Sequence, residues 1–168
     1  MRMSGAMSSI NWLGMRTLYL KECRRFLKVT LQTVLAPTVT SMLFLAIFSL
    51  AIGNSFIQID GVNFLTFMAP GLIMMTMMQN SFSNTSSSLM LAKIQGNVVD
   101  ILMPPLNAFE LLAGIVGAGV TRGLICGLVL SLVMLPFVDL QLYQPILLIY
   151  YSVMGCLLLS LVGVITAI

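Results

Sequence analysis

Long apolar stretches alternate with short polar segments along the chain. Three stretches, residues 29–59, 61–92 and 140–168, contain no Asp, Glu, Lys or Arg. Each is longer than the roughly 20 apolar residues that cross a bilayer as a helix. The pattern therefore predicts an all-α, polytopic membrane protein, with residues 1–168 forming a single transmembrane domain.

The positions of the polar breaks predict four membrane spans, over residues 31–53, 64–91, 109–135 and 145–168. The connector between the second and third spans, residues 92–108, contains the Pro104-Pro105 pair, which disfavours a continuous helix. In the second half of the second span, residues 79–88 have the sequence QNSFSNTSSS. Lipid cannot surround such a polar run, because unsatisfied polar groups in hydrocarbon are costly. The run must project into the cytoplasm, pack against other helices or line a wet path.

An amphipathic helix is predicted before the first span, over residues 8–28. On a helical wheel one broad face is apolar, and the opposite face carries Lys21, Arg24, Arg25 and Lys28. Such a helix lies in the membrane interface, with its apolar side chains among the acyl chains and its cations near phosphates. Two interpretations remain open for it: a membrane anchor, and a docking surface for a cytoplasmic partner.

The distribution of positive charge predicts the orientation. Six of the eight cations precede the first span, and Lys93 lies in the connector. The positive-inside rule then places the N-terminus and the 92–108 connector in the cytoplasm. The fourth span ends at Ile168 without a polar tail, which leads us to expect that the chain is cut short.

Composition agrees with this class. Hydrophobic residues make up 59% of the 168 residues and charged residues 8%, whereas a soluble domain carries about 25% charged residues. The net charge of +3 comes from cations beside the first span, so it predicts membrane lipid rather than nucleic acid as a partner. With no histidine and three scattered cysteines, no metal site is predicted.

The third span carries glycines at i, i+4 and i+8, namely Gly119, Gly123 and Gly127. This spacing makes a flat groove along one helix face, where a second backbone can approach closely. The partner is either the second span of the same chain or the third span of another copy.

Arg122 lies among these glycines, about 20 Å along the axis from the start of the predicted span. We expect it near the middle of the bilayer, where an arginine costs at least ~2.5 kcal/mol. It therefore needs a partner. One alternative is the second span, through Gln79, Asn80, Asn84 or backbone carbonyls; the other is an anionic head group or a sugar phosphate. Glu110 lies about 120° away on the helix and instead suits the positive end of its dipole.

Motifs for catalysis are missing from these residues. The sequence contains no GxxxxGK[ST] phosphate loop, no GxSxG motif and no histidine to act as a general base. Proton-coupled transport usually needs acids within the membrane, whereas the five acids here lie in predicted loops or near interfaces. We predict a transport subunit rather than an enzyme, with no cofactor bound by this chain.

Several sequence blocks follow one another in a defined order. They are KExxRF at 21–26, QTVLAP at 32–37, FLTFMAPGLIMM at 64–75, SFSNTSSSL at 81–89, KIQGNVVDILMPPLNAFE at 93–110 and TRG at 121–123. The ordered set resembles the integral-membrane permease subunit of a type-2 ABC exporter of the bacterial inner membrane. The resemblance covers nearly the whole chain.

This resemblance implies a six-helix permease that works as a dimer with two ATPase subunits beneath it, which bind the ATP. It also implies an interfacial connecting helix at 8–28 and a short coupling helix in the region 96–103. Candidate contacts with the ATPase are then Gly96, Asn97, Asp100 and Glu22. The chain departs from the family by ending after four spans.

The leading hypothesis is therefore a permease subunit, in a homodimer or heterodimer, that exports a lipid, glycan or amphipathic compound and is driven by a separate cytoplasmic ATPase. An ion-gradient-driven secondary transporter is a second hypothesis, disfavoured by the lack of acids at mid-membrane. A third is a non-transporting membrane scaffold, in which the polar run and Arg122 only bind neighbouring helices.

Overall fold

The computed structural model describes residues 11–29, 31–52, 58–59, 62–97, 103, 106–138 and 144–168. Within these ranges the chain is almost entirely helical, and a two-residue antiparallel pairing joins Gln58–Ile59 to Val62–Asn63. The helices are α1 (Trp12–Leu27), α2 (Ala36–Ile52), α3 (Phe64–Ile94), α4 (Ala108–Met134) and α5 (Pro145–Ala167). The prediction of an all-α protein is confirmed.

A π-helical turn, Leu31–Leu35, precedes α2 and continues directly into it. Pro37 accounts for the irregular start, because its nitrogen carries no hydrogen and its ring crowds the carbonyl of the residue four positions earlier. That residue is Thr33, and the thiol of Cys126 on α4 lies 3.5 Å from its carbonyl oxygen. The beginning of the first span is thus in contact with α4.

Three segments of the described chain are long and apolar enough to cross a membrane: Leu31–Ala51, Ala108–Met134 and Pro145–Ala167. The helix α3 is not among them, because its second half carries the polar run. Its 31 residues nevertheless make it about 47 Å long, more than the roughly 30 Å of a hydrocarbon core. Three of the four predicted spans therefore have the required length and composition, and the second span stays a prediction.

The helices α3, α4 and α5 pack together through small polar residues. The hydroxyl of Ser81 donates to the carbonyl oxygen of Cys156 at 2.8 Å, and that of Thr85 to the carbonyl oxygen of Ser160 at 3.1 Å. In each pair the two residues are 75 positions apart in the sequence, so α3 and α5 run parallel and keep one register. The hydroxyl of Ser160 also donates to the carbonyl oxygen of Val116 on α4, at 3.3 Å. Hydrogen bonds to backbone oxygens therefore join all three helices.

Buried apolar side chains form two clusters on either side of this polar region. One joins α2, the first half of α3 and the end of α4 through Leu45, Ala69, Leu130, Met134 and Val138. The other joins α1, the first half of α4 and the end of α5 through Leu18, Ile115, Val116 and Val164. The polar residues of α3 lie between the two apolar clusters.

The first helix, α1, packs along the first half of α4. Leu18 of α1 lies against Gly114, where an added Cβ would be 3.1 Å from the leucine Cδ2. The hydroxyls of Tyr19 and Thr121 lie 2.8 Å apart. The helix begins after Asn11, whose side-chain oxygen accepts the N–H of Gly14 at 3.0 Å as an N-cap. Residues 8–10 of the predicted 8–28 helix lie outside the described residues.

Candidate functional site: a polar cluster between three helices

The polar run of α3 buries half of its ten side chains against other helices. Five of them are buried: Asn80, Ser81, Asn84, Thr85 and Ser88. Because residues four apart share a helix face, Ser81 and Thr85 lie on one side, where they contact α5. The second row, at positions 80, 84 and 88, faces α4 and α1. The sequence leaves three interpretations of the run open, and the five buried residues fit the second one, packing against other helices.

Arg122 of α4 contacts two asparagines of that second row. Its Nη2 lies 3.4 Å from Asn80 Oδ1, and its Nη1 lies 3.4 Å from Asn84 Oδ1. Both contacts are long, since charge-assisted N–H···O bonds are about 2.7–2.9 Å. Gln79, the third side chain expected beside Arg122, is exposed. The structure thus brings two of the three expected amides to the arginine, at distances longer than those of a strong charge-assisted bond.

A second guanidinium reaches the same asparagine from α1. The Nη2 atom of Arg25 lies 3.0 Å from the carbonyl oxygen of Asn84 and 3.5 Å from its Oδ1. The helical wheel groups Arg25 with the cations that face phosphates. In the structure its side chain turns toward α3 instead, so Asn84 contacts two arginines where the sequence predicts only Arg122.

Glu22 completes the group from α1. Its Oε2 lies 3.2 Å from Arg25 Nη2 and accepts the hydroxyl of Ser88 at 2.7 Å. Only 4% of Glu22 is exposed. This burial is at odds with the expected contact between Glu22 and an ATPase, because the carboxylate is enclosed between α1 and α3. The spacing of Glu22 and Arg25, three residues apart, is the sequence signal that indicates the pair.

We call these six residues the polar cluster: Glu22, Arg25, Asn80, Asn84, Ser88 and Arg122. It holds two guanidinium groups and one carboxylate, and the described part of the chain offers Arg122 no carboxylate partner. Within the same part, Asn84 Nδ2 and Arg122 Nε are buried without a hydrogen-bond partner. A buried donor left unsatisfied costs about 1–3 kcal/mol. The cluster therefore has one excess positive charge and two spare donors.

The contact of Cys126 shows the level of Arg122 in the bundle. Cys126 lies one turn after Arg122, and its thiol meets the carbonyl oxygen of Thr33, in the first turn of the Leu31–Ala51 segment. Arg122 therefore lies close to the level at which the Leu31–Ala51 segment begins. It is also near the middle of the Ala108–Met134 segment, and its expected mid-bilayer depth stays a prediction.

The glycines of α4 face α3 and α5. A Cβ on Gly119 would lie 2.6 Å from Ser160 Oγ, and a Cβ on Gly123 would lie 2.7 Å from the carbonyl oxygen of Met77. Gly127 packs on the side chain of Met77 with no room for a Cβ. The face formed by these glycines is thus occupied within the chain, by the second predicted span and by α5, rather than open to another copy.

The exposed end of α3 forms a left-handed turn at Gly96, whose φ is 73°. The N–H of Gly96 donates to the carbonyl oxygen of Lys93 at 3.1 Å, and that of Asn97 to the carbonyl oxygen of Ala92 at 2.9 Å. This is the Schellman pattern, which favours glycine because a side chain resists positive φ. Gly96 and Asn97 are both exposed. Asp100, the third expected ATPase contact, lies outside the described residues, as does the Pro104-Pro105 pair.

Long helices of mostly apolar sequence, joined by close glycine contacts and side-chain hydrogen bonds, define a polytopic helical membrane protein. The family described as "ABC-2 type transporter" matches residues 14–168. The chain belongs to the ABC-2 type transporter family, so the resemblance to a type-2 ABC permease is confirmed.

The curated relatives are transport permeases. The chain is 32% identical to the inner membrane transport permease YadH of Escherichia coli K12 over 162 residues, which cover 96% of this chain and 63% of the relative. The proteins of the same name from Escherichia coli O157:H7 and Shigella flexneri give the same figures. The chain therefore spans less than two thirds of the length of these relatives. No solved structure is significantly similar to it.

Proposed function

We propose that this chain forms part of the permease subunit of an ATP-driven exporter, and that a separate cytoplasmic ATPase binds the ATP. The exported compound is a lipid, a glycan or another amphipathic molecule. The observation that carries the proposal is the family match over residues 14–168, because ABC-2 permeases generally work with an ATPase subunit. The 168 residues contain no phosphate loop of their own, which is consistent with a separate motor.

In this proposal the chain lies in a bacterial inner membrane and crosses it four times, with α3 as the second span. The polar run would be costly in lipid, but its buried residues are covered by α1, α4 and α5 and bonded to their side chains or carbonyls. This covering supports a membrane location for α3. The cations before the first span and Lys93 after α3 support a cytoplasmic N-terminus.

The exposed side of α1 fits a helix at the cytoplasmic membrane interface. Apolar side chains are exposed along one strip of it, at Trp12, Leu13, Leu20 and Leu27. A strip of exposed cations runs beside them, at Lys21, Arg24 and Lys28. An interfacial helix needs apolar groups for the acyl chains and cations for phosphates, and membrane lipid is therefore its proposed partner.

Coupling to the ATPase is assigned to the connector 92–108. Gly96 and Asn97 are exposed at the end of a long, regular helix, so a push on them is transmitted along α3 to the polar cluster. Asp100 is retained as a third candidate contact. Glu22 is not retained, because its carboxylate is already bonded to Arg25 and Ser88.

A second permease subunit, identical or related, completes the proposed assembly. The ion-gradient alternative needs an acid free to exchange protons. The two described acids, Glu22 and Glu110, are both buried and bonded within the chain, which does not favour this alternative.

The scaffold alternative is favoured by one observation, the use of the polar run in helix packing.

Topology and partner are tested together in the complete protein. Cysteine is introduced at Asn97 in a background where Cys23, Cys126 and Cys156 are serine, and a membrane-impermeant maleimide is applied to intact cells and to inverted vesicles. We expect position 97 to react only in inverted vesicles, and to cross-link there to a co-purified ATPase. A matched cysteine at Phe137, exposed at the far end of α4, should react only in intact cells. The reverse labelling pattern contradicts the proposal.

The same preparation separates export from scaffolding. Complete protein purified in mild detergent should retain an ATPase in stoichiometric amount, and its ATP hydrolysis should change when the permease is present. A scaffold would assemble without altering ATP hydrolysis.

A further inference from the structure

We infer that the polar cluster is a binding site for a phosphate group at the level where the first span begins. The ligand class is a phosphate oxyanion, which an anionic phospholipid or free phosphate can supply. The inference goes beyond the proposed function, because binding of this group does not require transport.

The balance of charge is the first argument. The polar cluster brings Arg25 and Arg122 to one side chain, Asn84, whose Oδ1 lies 3.5 Å and 3.4 Å from their Nη atoms. Its one carboxylate, Glu22, pairs with Arg25. Two guanidinium groups converging on a neutral amide repel each other, and an anion between them removes that repulsion. Arginine is also well suited to phosphate, since its planar fork matches two phosphate oxygens at once.

The unused hydrogen-bond donors are the second argument, and they are independent of the charge. Asn84 is 0% exposed, and its Nδ2 has no acceptor in the described part of the chain. The Nε of Arg122 is in the same situation. A phosphate accepts several hydrogen bonds, and the contacts of Arg122 Nη with the asparagines are long enough to be exchanged for shorter ones. A carboxylate or phosphate thus satisfies donors that the chain leaves open.

Access to the cluster is the third argument. The side chain of Arg25 is 33% exposed, so the site opens on the α1 side. Arg25 also lines a groove of about 450 Å³ on α1, together with Thr17, Leu20, Lys21, Arg24 and Lys28. Its further cations raise the local concentration of anions beside the opening. The site lies next to α1, at the level where the Leu31–Ala51 segment begins.

The complete protein in detergent tests the inference by native mass spectrometry. Phosphatidylglycerol and phosphatidylcholine are offered at equal concentration, and retention of each is measured. We expect phosphatidylglycerol to bind at least tenfold more tightly. Arg122→Gln and Arg25→Gln should each weaken its binding at least tenfold, and Arg122→Lys should be intermediate, because it keeps the charge but loses the fork. Arg16→Gln, an exposed cation elsewhere on α1, is the matched control and should bind as wild type does.

A second arm separates the two sources of the ligand. Inorganic phosphate at millimolar concentration either displaces phosphatidylglycerol, which indicates a site for the free group, or leaves it bound, which indicates that the lipid is required. Both results support a phosphate site.

Two results overturn it. The first is equal retention of phosphatidylglycerol by wild type and both glutamine variants, all shown to be folded by thermal unfolding. The second concerns Arg122→Gln: it binds lipid as wild type does but no longer cross-links to the second permease subunit. That result means that a carboxylate of the partner neutralises Arg122. Neither measurement depends on transport, so the phosphate site and the export function fail separately.

Discussion

The carboxylate oxygen Oε1 of Glu110 accepts a hydrogen bond from the backbone N–H of Asn11 at 2.6 Å. Its second oxygen accepts the N–H of Asn107 at 2.9 Å, and the residue is 2% exposed. One buried side chain thus holds the beginnings of two helices, α1 and α4. Arg25 ties the other end of α1 to α3, so the helix is fixed at both ends.

Removal of this carboxylate should loosen α1. Charge-assisted hydrogen bonds contribute about 1.5–3 kcal/mol each, so we expect Glu110→Ala to lower the free energy of unfolding by about 3 kcal/mol. Glu110→Gln keeps one acceptor and should cost about half as much. The measurement is denaturant unfolding in detergent, together with the rate of proteolysis within α1.

Gln144→Ala is the control for this variant. Gln144 also precedes a helix, but its side chain forms no capping hydrogen bond, so its replacement should leave stability unchanged. Equal stability of Glu110→Ala and wild type would show that the hydrogen bonds of Glu110 do not help to hold α1.

The close contact between α3 and α4 predicts a steric effect at Gly123. A Cβ there would lie 2.7 Å from the carbonyl oxygen of Met77, which is backbone and cannot rotate away. We expect Gly123→Val to destabilise the protein by about 3 kcal/mol, since overpacking typically costs 1–3 kcal/mol and rigid neighbours raise it. At Gly71 of α3 a Cβ meets nothing within 4 Å, so Gly71→Ala is the matched control.

The outcome is again measured by unfolding in detergent. Gly71→Ala should be as stable as wild type or more so, because alanine favours helix over glycine. A Gly123→Val protein as stable as Gly71→Ala would contradict the close approach of the two helices.

The hydroxyl of Thr85 tests the register of α3 and α5. Its one proton is shared between the carbonyl oxygen of Ser160 on α5, at 3.1 Å, and that of Phe82 in its own helix, at 3.0 Å. Valine has the same shape without the donor. Hydrogen bonds between membrane helices contribute about 0.6 kcal/mol on average, with a maximum near 1.7 kcal/mol. We therefore expect Thr85→Val to lose about 1 kcal/mol of stability. Thr40→Val, where the exposed hydroxyl bonds only within its own helix, should lose less.

The ratio of the stability losses of Thr85→Val and Thr40→Val shows whether the bond between α3 and α5 forms. A larger loss at position 40 than at position 85 would indicate that the bond between α3 and α5 does not form in the membrane.

The helices of this protein could be predicted from its sequence, because each depends on local apolar runs with polar breaks. The predicted 31–53, 109–135 and 145–168 end within one residue of the helical segments Leu31–Ile52, Ala108–Met134 and Pro145–Ala167. The burial of the polar run could not be predicted, because it depends on which helices lie beside α3. The parallel register of α3 and α5 has no local signal.

The candidate site was predicted in part for the same reason. Arg122 and its amide partners follow from the need to satisfy a charge. The inward turn of Glu22 and Arg25 depends on the packing of α1, and only their spacing indicates that they form a pair.

The last prediction concerns Gly96, whose φ of 73° ends α3. An L-residue in this region costs about 1–2 kcal/mol, and asparagine is the side chain that tolerates it best. We expect Gly96→Ala to lower stability by about 1 kcal/mol and Gly96→Asn by less.

If the connector transmits force from an ATPase, Gly96→Ala should also uncouple ATP hydrolysis from the permease, because the last turn of α3 no longer directs Asn97 correctly. Stability is measured by unfolding, and coupling by the change in ATPase rate on adding permease. Gly71 is an exposed glycine within α3 and has no positive φ, so Gly71→Ala should lower neither stability nor coupling. An equal loss of coupling in both variants would contradict a special role for the turn at Gly96.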